Sequence, residues 1–142
     1  MTFDKFTIKA QETVQEAVNL AQRSGQQSIE PVHLLKAIMT KARDVAGFIF
    51  QKLGVNAQQV ETLVDSEISH LPRVQGGQPY LSGDTNNILQ HAEDMSQKMG
   101  DQFVSVEPIL LAIVAASTTA SRILKDAGCT EKEMRKAIDE LR

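Results

Sequence analysis

The sequence has no tryptophan, one tyrosine, five phenylalanines and a single cysteine in 142 residues. With Cys129 alone, no intramolecular disulfide can form, which fits a reducing compartment. With so few aromatic rings the core must be aliphatic, a composition that suits packed helices better than a β-sandwich. An excess of positive charge is missing too: 15 Lys and Arg stand against 18 Asp and Glu, a net charge of −3 with no basic run. Nucleic-acid binding draws most of its affinity from phosphate neutralisation, so no nucleic-acid partner is expected. The longest apolar run, Ile109 to Ala116, is eight residues, far short of the ~20 that span a bilayer. The opening MTFDKFTIKAQETVQ lacks the apolar centre of a secretory signal. These absences lead us to expect a cytoplasmic chain without a membrane partner.

Catalytic and cofactor signatures are also missing. There is no G-x-x-x-x-G-K-[ST], no G-x-G-x-x-G and no G-x-S-x-G, so neither a phosphate loop, a dinucleotide fingerprint nor a nucleophile elbow is present. His33, His70 and His91 have no metal-ligand spacing and read as neutral surface or half-buried side chains. Cys129 follows Gly128 and reads as a small apolar packing residue. Glu131, Glu133, Asp139 and Glu140 beside Lys132, Arg135 and Lys136 read as a solvated helix face. No catalytic residue, metal site or cofactor is expected in this chain.

What the sequence does hold is helical periodicity. Ala10, Val14, Ala17, Val18 and Ala21 recur on one helical face, with Thr7 placed as N-cap and Gly25 as the stop. Pro31 opens a helix carrying Leu34, Leu35, Ile38 and Met39. Asp44 is placed to cap a short helix through Phe48, Ile49 and Leu53. Asn56 with Gln59 has the spacing of a capping box ahead of Val60, Val64 and Ile68. Past the Pro- and Gly-rich stretch 72–83, Ile88, Leu89, Ala92, Met95 and Met99 form a stripe. Pro108 is expected to start the next helix, Ala120 to Ala127 lie in another, and Thr130 with Glu133 opens the last. The expected fold is all-α, with eight helices and almost no sheet.

The second half echoes the first. At a shift of 75, Val14 meets Leu89, Gly25 meets Gly100, Ile29 meets Val104 and Ile38 meets Ile113. At a shift of 74, Ile49 meets Ile123, Gly54 meets Gly128 and Asn56 meets Thr130. Glu30-Pro31 and Glu107-Pro108 look alike but lie 77 apart, out of register. The expected division is one domain, 1–142. Repeat 1 covers about 3–71, a linker 72–83, and repeat 2 about 84–142. Two four-helix repeats of this size are marginal alone. Related by a pseudo-two-fold, they should share a core and leave a groove along the seam.

The strings FDKFTIKAQETVQEAVNLAQ (3–22), IEPVHLLKAI (29–38), GDQFVSVE (100–107) and ILKDAGCTEKEM (123–134), in this order and spacing, resemble the Clp N-terminal domain. This is the double repeat at the front of ring-forming Clp/HSP100 AAA+ unfoldases. IEPVHLL and LPRVQG look most like the disaggregase branch of that family. The resemblance implies a flexibly hung domain that catches unfolded or aggregated proteins, or binds adaptors or a co-chaperone, and passes clients to an ATPase ring. ATP and magnesium would belong to ring domains outside this chain. The full-length protein would be a homohexameric ATPase and the isolated domain a monomeric non-enzyme. It places Thr7, Asp101 and Glu107 near a client-contacting surface, with Tyr80, Pro108 and Ile109 as further groove candidates. Each of the three polar residues also fits a plain structural part: Thr7 an N-cap, Asp101 a turn residue after Gly100, Glu107 a cap before Pro108. The protease-linked branch, which docks adaptors, is the alternative. That branch carries a Glu before a His in each repeat. The matching positions here are Val32-His33 and Glu107-Pro108, so one acid of the two is present, which weakens a phosphoarginine reading.

Overall fold

Side-chain oxygens open five of the helices. Thr7, Asn56, Ser82, Thr118 and Thr130 each accept a backbone N–H from the first turn that no intrahelical carbonyl can reach. The computed structural model describes residues 2–142. Its elements are α1 (Ile8–Arg23), β1 (Ser28–Ile29), α2 (Pro31–Lys41), α3 (Arg43–Lys52), α4 (Ala57–Ser69), β2 (Tyr80–Leu81), α5 (Gly83–Lys98), α6 (Val106–Ala115), α7 (Thr119–Asp126) and α8 (Glu131–Leu141). The all-α expectation with almost no sheet holds.

Helix starts repeat at the offsets read from the sequence. Ile8 and Gly83, then Pro31 and Val106, are 75 apart; Ala57 and Glu131 are 74 apart. Gly25 and Gly100 end α1 and α5 in the left-handed region, at φ 70° and 79°, where a side chain would be strained. The contacts between the halves also come in two-fold mates. Helix α3 packs on α8 as α7 packs on α4, and α2 packs on α5 as α6 packs on α1. Helices α2 and α6 touch each other across the axis. Their Leu34, Leu35, Ile38, Ile109, Leu110 and Ile113 are fully buried, so one aliphatic core serves both repeats.

The seam carries a small strand exchange. Phe6, just ahead of α1, forms a parallel bridge with Val104, just ahead of α6. The mate, 75 residues on, is Leu81 paired with Ile29 in the parallel β1–β2 ladder. Thr7 N–H donates to the Val104 carbonyl at 2.9 Å, and Ser82 N–H to the Ile29 carbonyl at 3.1 Å. Each repeat is therefore stitched through the leader of the other. Tyr80 and Leu81, at the end of the stretch read as linker, occupy the same place before α5 that Lys5 and Phe6 occupy before α1.

Three local expectations need correction. Asp44 does not cap α3: Ala42 is both the end of α2 and the start of α3, which leaves no extended residue to carry a capping side chain. Asp44 lies in the first turn instead, where its charge favours the helix dipole. Helix α6 starts at Val106, not at Pro108. Pro108 is tolerated there because first-turn N–H groups have no intrahelical partner to lose. His33 is fully buried, neither at the surface nor half-buried. Its Nδ1 accepts from the Glu30 N–H at 2.8 Å, which leaves the proton on Nε2 to donate to Gln26 Oε1 at 2.7 Å. Gln26 Nε2 then donates to the Ile68 carbonyl at 2.6 Å, tying the turn after α1 to the end of α4. Burial pushes the His33 pKa down to about 4, against the pull of Glu30, so the ring is neutral.

Candidate functional site

The exchange leaves a groove on each side of the seam. The larger, of about 510 Å³, lies between α1 and the leader of α5. Phe3, Val14, Val18, Ile29, Pro79, Tyr80 and Leu81 give it an apolar wall; Gln11, Gln15 and Glu12 give it a polar rim. Helix α1 supplies Val14 and Val18 because its apolar stripe is wider than the surface its neighbours cover: Val14 is buried and Val18 half-buried. Tyr80 is 54% exposed, since the ladder turns its side chain away from the core.

The smaller groove, of about 390 Å³, is the two-fold mate of the first. At the shift of 75, Val18 becomes Glu93, Ile29 becomes Val104, and Tyr80 corresponds to Lys5. One fold thus produces two clefts, the first walled by uncharged side chains apart from Glu12 at its rim, the second also carrying Lys5, Glu93 and Asp101. Apolar burial contributes about 25 cal/mol per Å², and the first groove, the roomier of the two, offers the larger apolar wall.

The residues singled out in the sequence fall in different places. Thr7 Oγ1 accepts from the Ala10 N–H at 3.1 Å and caps α1. Asp101 lines the smaller, charged groove. Asp101 and Glu107 are joined by Arg142, whose guanidinium lies 2.8 Å from Asp101 Oδ2 and 3.1 Å from Glu107 Oε2. The directed hydrogen bond to Asp101 runs from Nη1 to Oδ1 at 3.1 Å, while the Oδ2 approach is an ion-pair contact. Ser105 completes the cradle, accepting from Arg142 at 3.1 Å and donating to Glu107 at 2.6 Å. Burial works against the charge of Arg142, and the bonds and charges of the two acids outweigh it, raising its pKa. The acids are therefore not on the rim of the apolar groove.

Tyr80 does line the apolar groove. Pro108 and Ile109 do not: both are buried in the shared core, because α6 is apolar all round and is enclosed by its neighbours. The sequence reading missed Phe3, Val18 and Pro79 as groove wall and Arg142 as the partner of the acids. Val18 sat within a stripe read only as one helical face, and nothing local brings residue 142 to residue 101.

Cys129 is buried and its thiol pKa is pushed up to about 11 by desolvation, the environment of an inert packing thiol. Among the described residues no group of His, Cys, Asp and Glu could hold a metal ion. No single helix among them is long and apolar enough to cross a membrane.

The sequence pattern described as the Clp repeat (R) N-terminal domain matches residues 5–139. The chaperone protein ClpB of Bacteroides thetaiotaomicron is 58% identical over 142 residues, all of this chain and 16% of that protein. ClpB of Porphyromonas gingivalis is 50% identical over the same length, again 16% of the relative. The chain thus spans about a sixth of the curated relatives it matches. Among solved structures, the Hsp104 N-terminal domain from Candida albicans superposes with a TM-score of 0.82 at 22% identity, covering 98% of this chain and 92% of that one. A ClpV N-domain solved with a VipB peptide superposes at 0.77 with 15% identity, covering 96% and 86%.

Proposed function

The chain belongs to the Clp repeat N-terminal domain family, and we propose that it is the client-recognition module of a longer, ATP-driven disaggregase of the ClpB type. The observation that carries this reading is the apolar groove, whose wall comes from both repeats and whose exposed aromatic, Tyr80, has no packing role in the core. A protein segment burying about 300 Å² of apolar surface there would gain roughly 7 kcal/mol. Association and ordering consume much of that gain, leaving affinity around micromolar or weaker. Weak capture suits hand-off, since a held segment must be released to a ring, and several copies on one ring would recover strength through multivalency.

In this reading Phe3, Val18 and Tyr80 contact the apolar part of a client. Asp101 and Glu107, on the other side of the seam, attract cationic flanks in competition with Arg142. Thr7 holds the start of α1 in place between the two. ATP and magnesium act in ring modules outside this chain, and the domain itself turns nothing over.

The test is the affinity of the chain for an unfolded, fluorescently labelled model protein, measured by anisotropy. Val18→Asp should weaken binding by about tenfold or more, because a charge would be desolvated in the groove, while circular dichroism stays unchanged. Equal affinity for wild type and variant would refute the groove. Binding restricted to one folded adaptor would favour the protease-linked alternative.

A further inference from the structure

The two-fold mates Phe6 and Leu81 differ in one backbone group. Phe6 N–H is closed by a turn and donates to the Phe3 carbonyl at 3.1 Å. Leu81 N–H points away from β1 and has no acceptor among the described residues; the ladder is made by Tyr80 and Ser82 instead. The Pro79 carbonyl points the same way and is likewise unclaimed. Both carbonyls that follow are capped alike, Phe6 by Gln11 at 3.0 Å and Leu81 by Asn86 at 3.3 Å. Repeat 2 therefore presents an open strand edge where repeat 1 is sealed, and Pro79, Tyr80 and Leu81 all line the apolar groove.

We infer that a bound client is held there as an added β-strand on the outer edge of β2. In a parallel ladder, one client residue opposite Tyr80 accepts from Leu81 N–H and donates to the Pro79 carbonyl. Its side-chain neighbours point alternately into the groove and out to solvent, so the apolar wall selects every second residue. The occupant is an extended polypeptide backbone, because the groups left without a protein partner are a main-chain donor and acceptor in strand spacing. Recognition through the backbone is tolerant of sequence, as capture of varied unfolded segments requires. This inference rests on the proposed function and specifies its geometry.

The experiment uses a short peptide alternating Leu and Ser, with a Lys at each end for solubility, made once with ordinary amides and once with N-methylated backbone positions. Binding to this chain is followed by amide shifts and hydrogen exchange. The expected result is slowed exchange at the Leu81 amide and about tenfold weaker binding of the methylated peptide. Leu81→Pro, which removes the outward donor and no ladder bond, should give a similar loss with the ordinary peptide. Leu81→Ala keeps the donor and controls for lost apolar surface. If the ordinary peptide binds in the groove but methylation and Leu81→Pro change nothing, strand addition is wrong and the client site stands. If the peptide does not perturb the groove at all, both readings fall.

Discussion

Phe6 and Val104 form a parallel bridge across the seam, so the leader of α1 is fastened to the leader of α6 before either helix begins. Its mate fastens Leu81 to Ile29. Each repeat thereby completes the other, and the groove that depends on both exists only when both are folded.

Splitting the chain in its exposed loop between Gly76 and Gly77 should therefore leave two fragments with little stable structure alone. Mixed, they should recover the helical circular dichroism of the intact chain. The intact chain should unfold in one transition, identical by circular dichroism and by tyrosine fluorescence. Two separate transitions would show that the repeats are independent.

Acid should loosen the fold through His33. Its folded pKa of about 4 lies below the ordinary 6.5, so the unfolded chain binds the extra proton between those values. Stability is fully present above about pH 6.5 and falls as pH drops towards 4, by roughly 3 kcal/mol for a shift of this size. Urea titrations of wild type and His33→Gln from about pH 7 to about pH 4 should show the variant less stable at neutral pH but with a flatter profile. Parallel profiles would contradict a buried neutral ring.

Much of this was legible in the sequence. Helix stripes, caps and stops follow local rules, and the 75- and 74-residue shifts reappear as helix starts. Pro108 and Ile109 were misplaced because Pro reads as a helix start, whereas the extended backbone of Ser105 sets the start earlier. The strand exchange was invisible, since a two-residue ladder has no periodicity to detect. The grip of Asp101 and Glu107 on Arg142 is a contact over 41 and 35 residues, which only the tertiary fold brings together.

Glu107 separates a binding role from a structural one. Glu107→Ala removes one of two acids on a guanidinium that is 35% exposed, so its cost should stay under about 1 kcal/mol and shrink with salt. Binding of a lysine- and arginine-flanked client should weaken while the melting temperature stays nearly unchanged. Arg142→Ala should strengthen that same binding by freeing the acids. A large fall in melting temperature for Glu107→Ala would instead make the cluster a structural clamp.

Cys129 should be silent in the native state. Its burial and a pKa of about 11 leave little thiolate at neutral pH. Labelling with a thiol reagent should proceed at the rate of global unfolding and accelerate with denaturant. Rapid labelling of the native chain would reveal a local opening near α8.

The most direct measurement is an amide-shift map of the isotope-labelled chain titrated with a permanently unfolded, carboxymethylated model protein. The largest changes should gather on Phe3, Val14, Val18, Tyr80 and Leu81 and be lost in Val18→Asp. Changes centred on the opposite, charged groove around Lys5 and Glu93, or spread evenly over the surface, would contradict that placement.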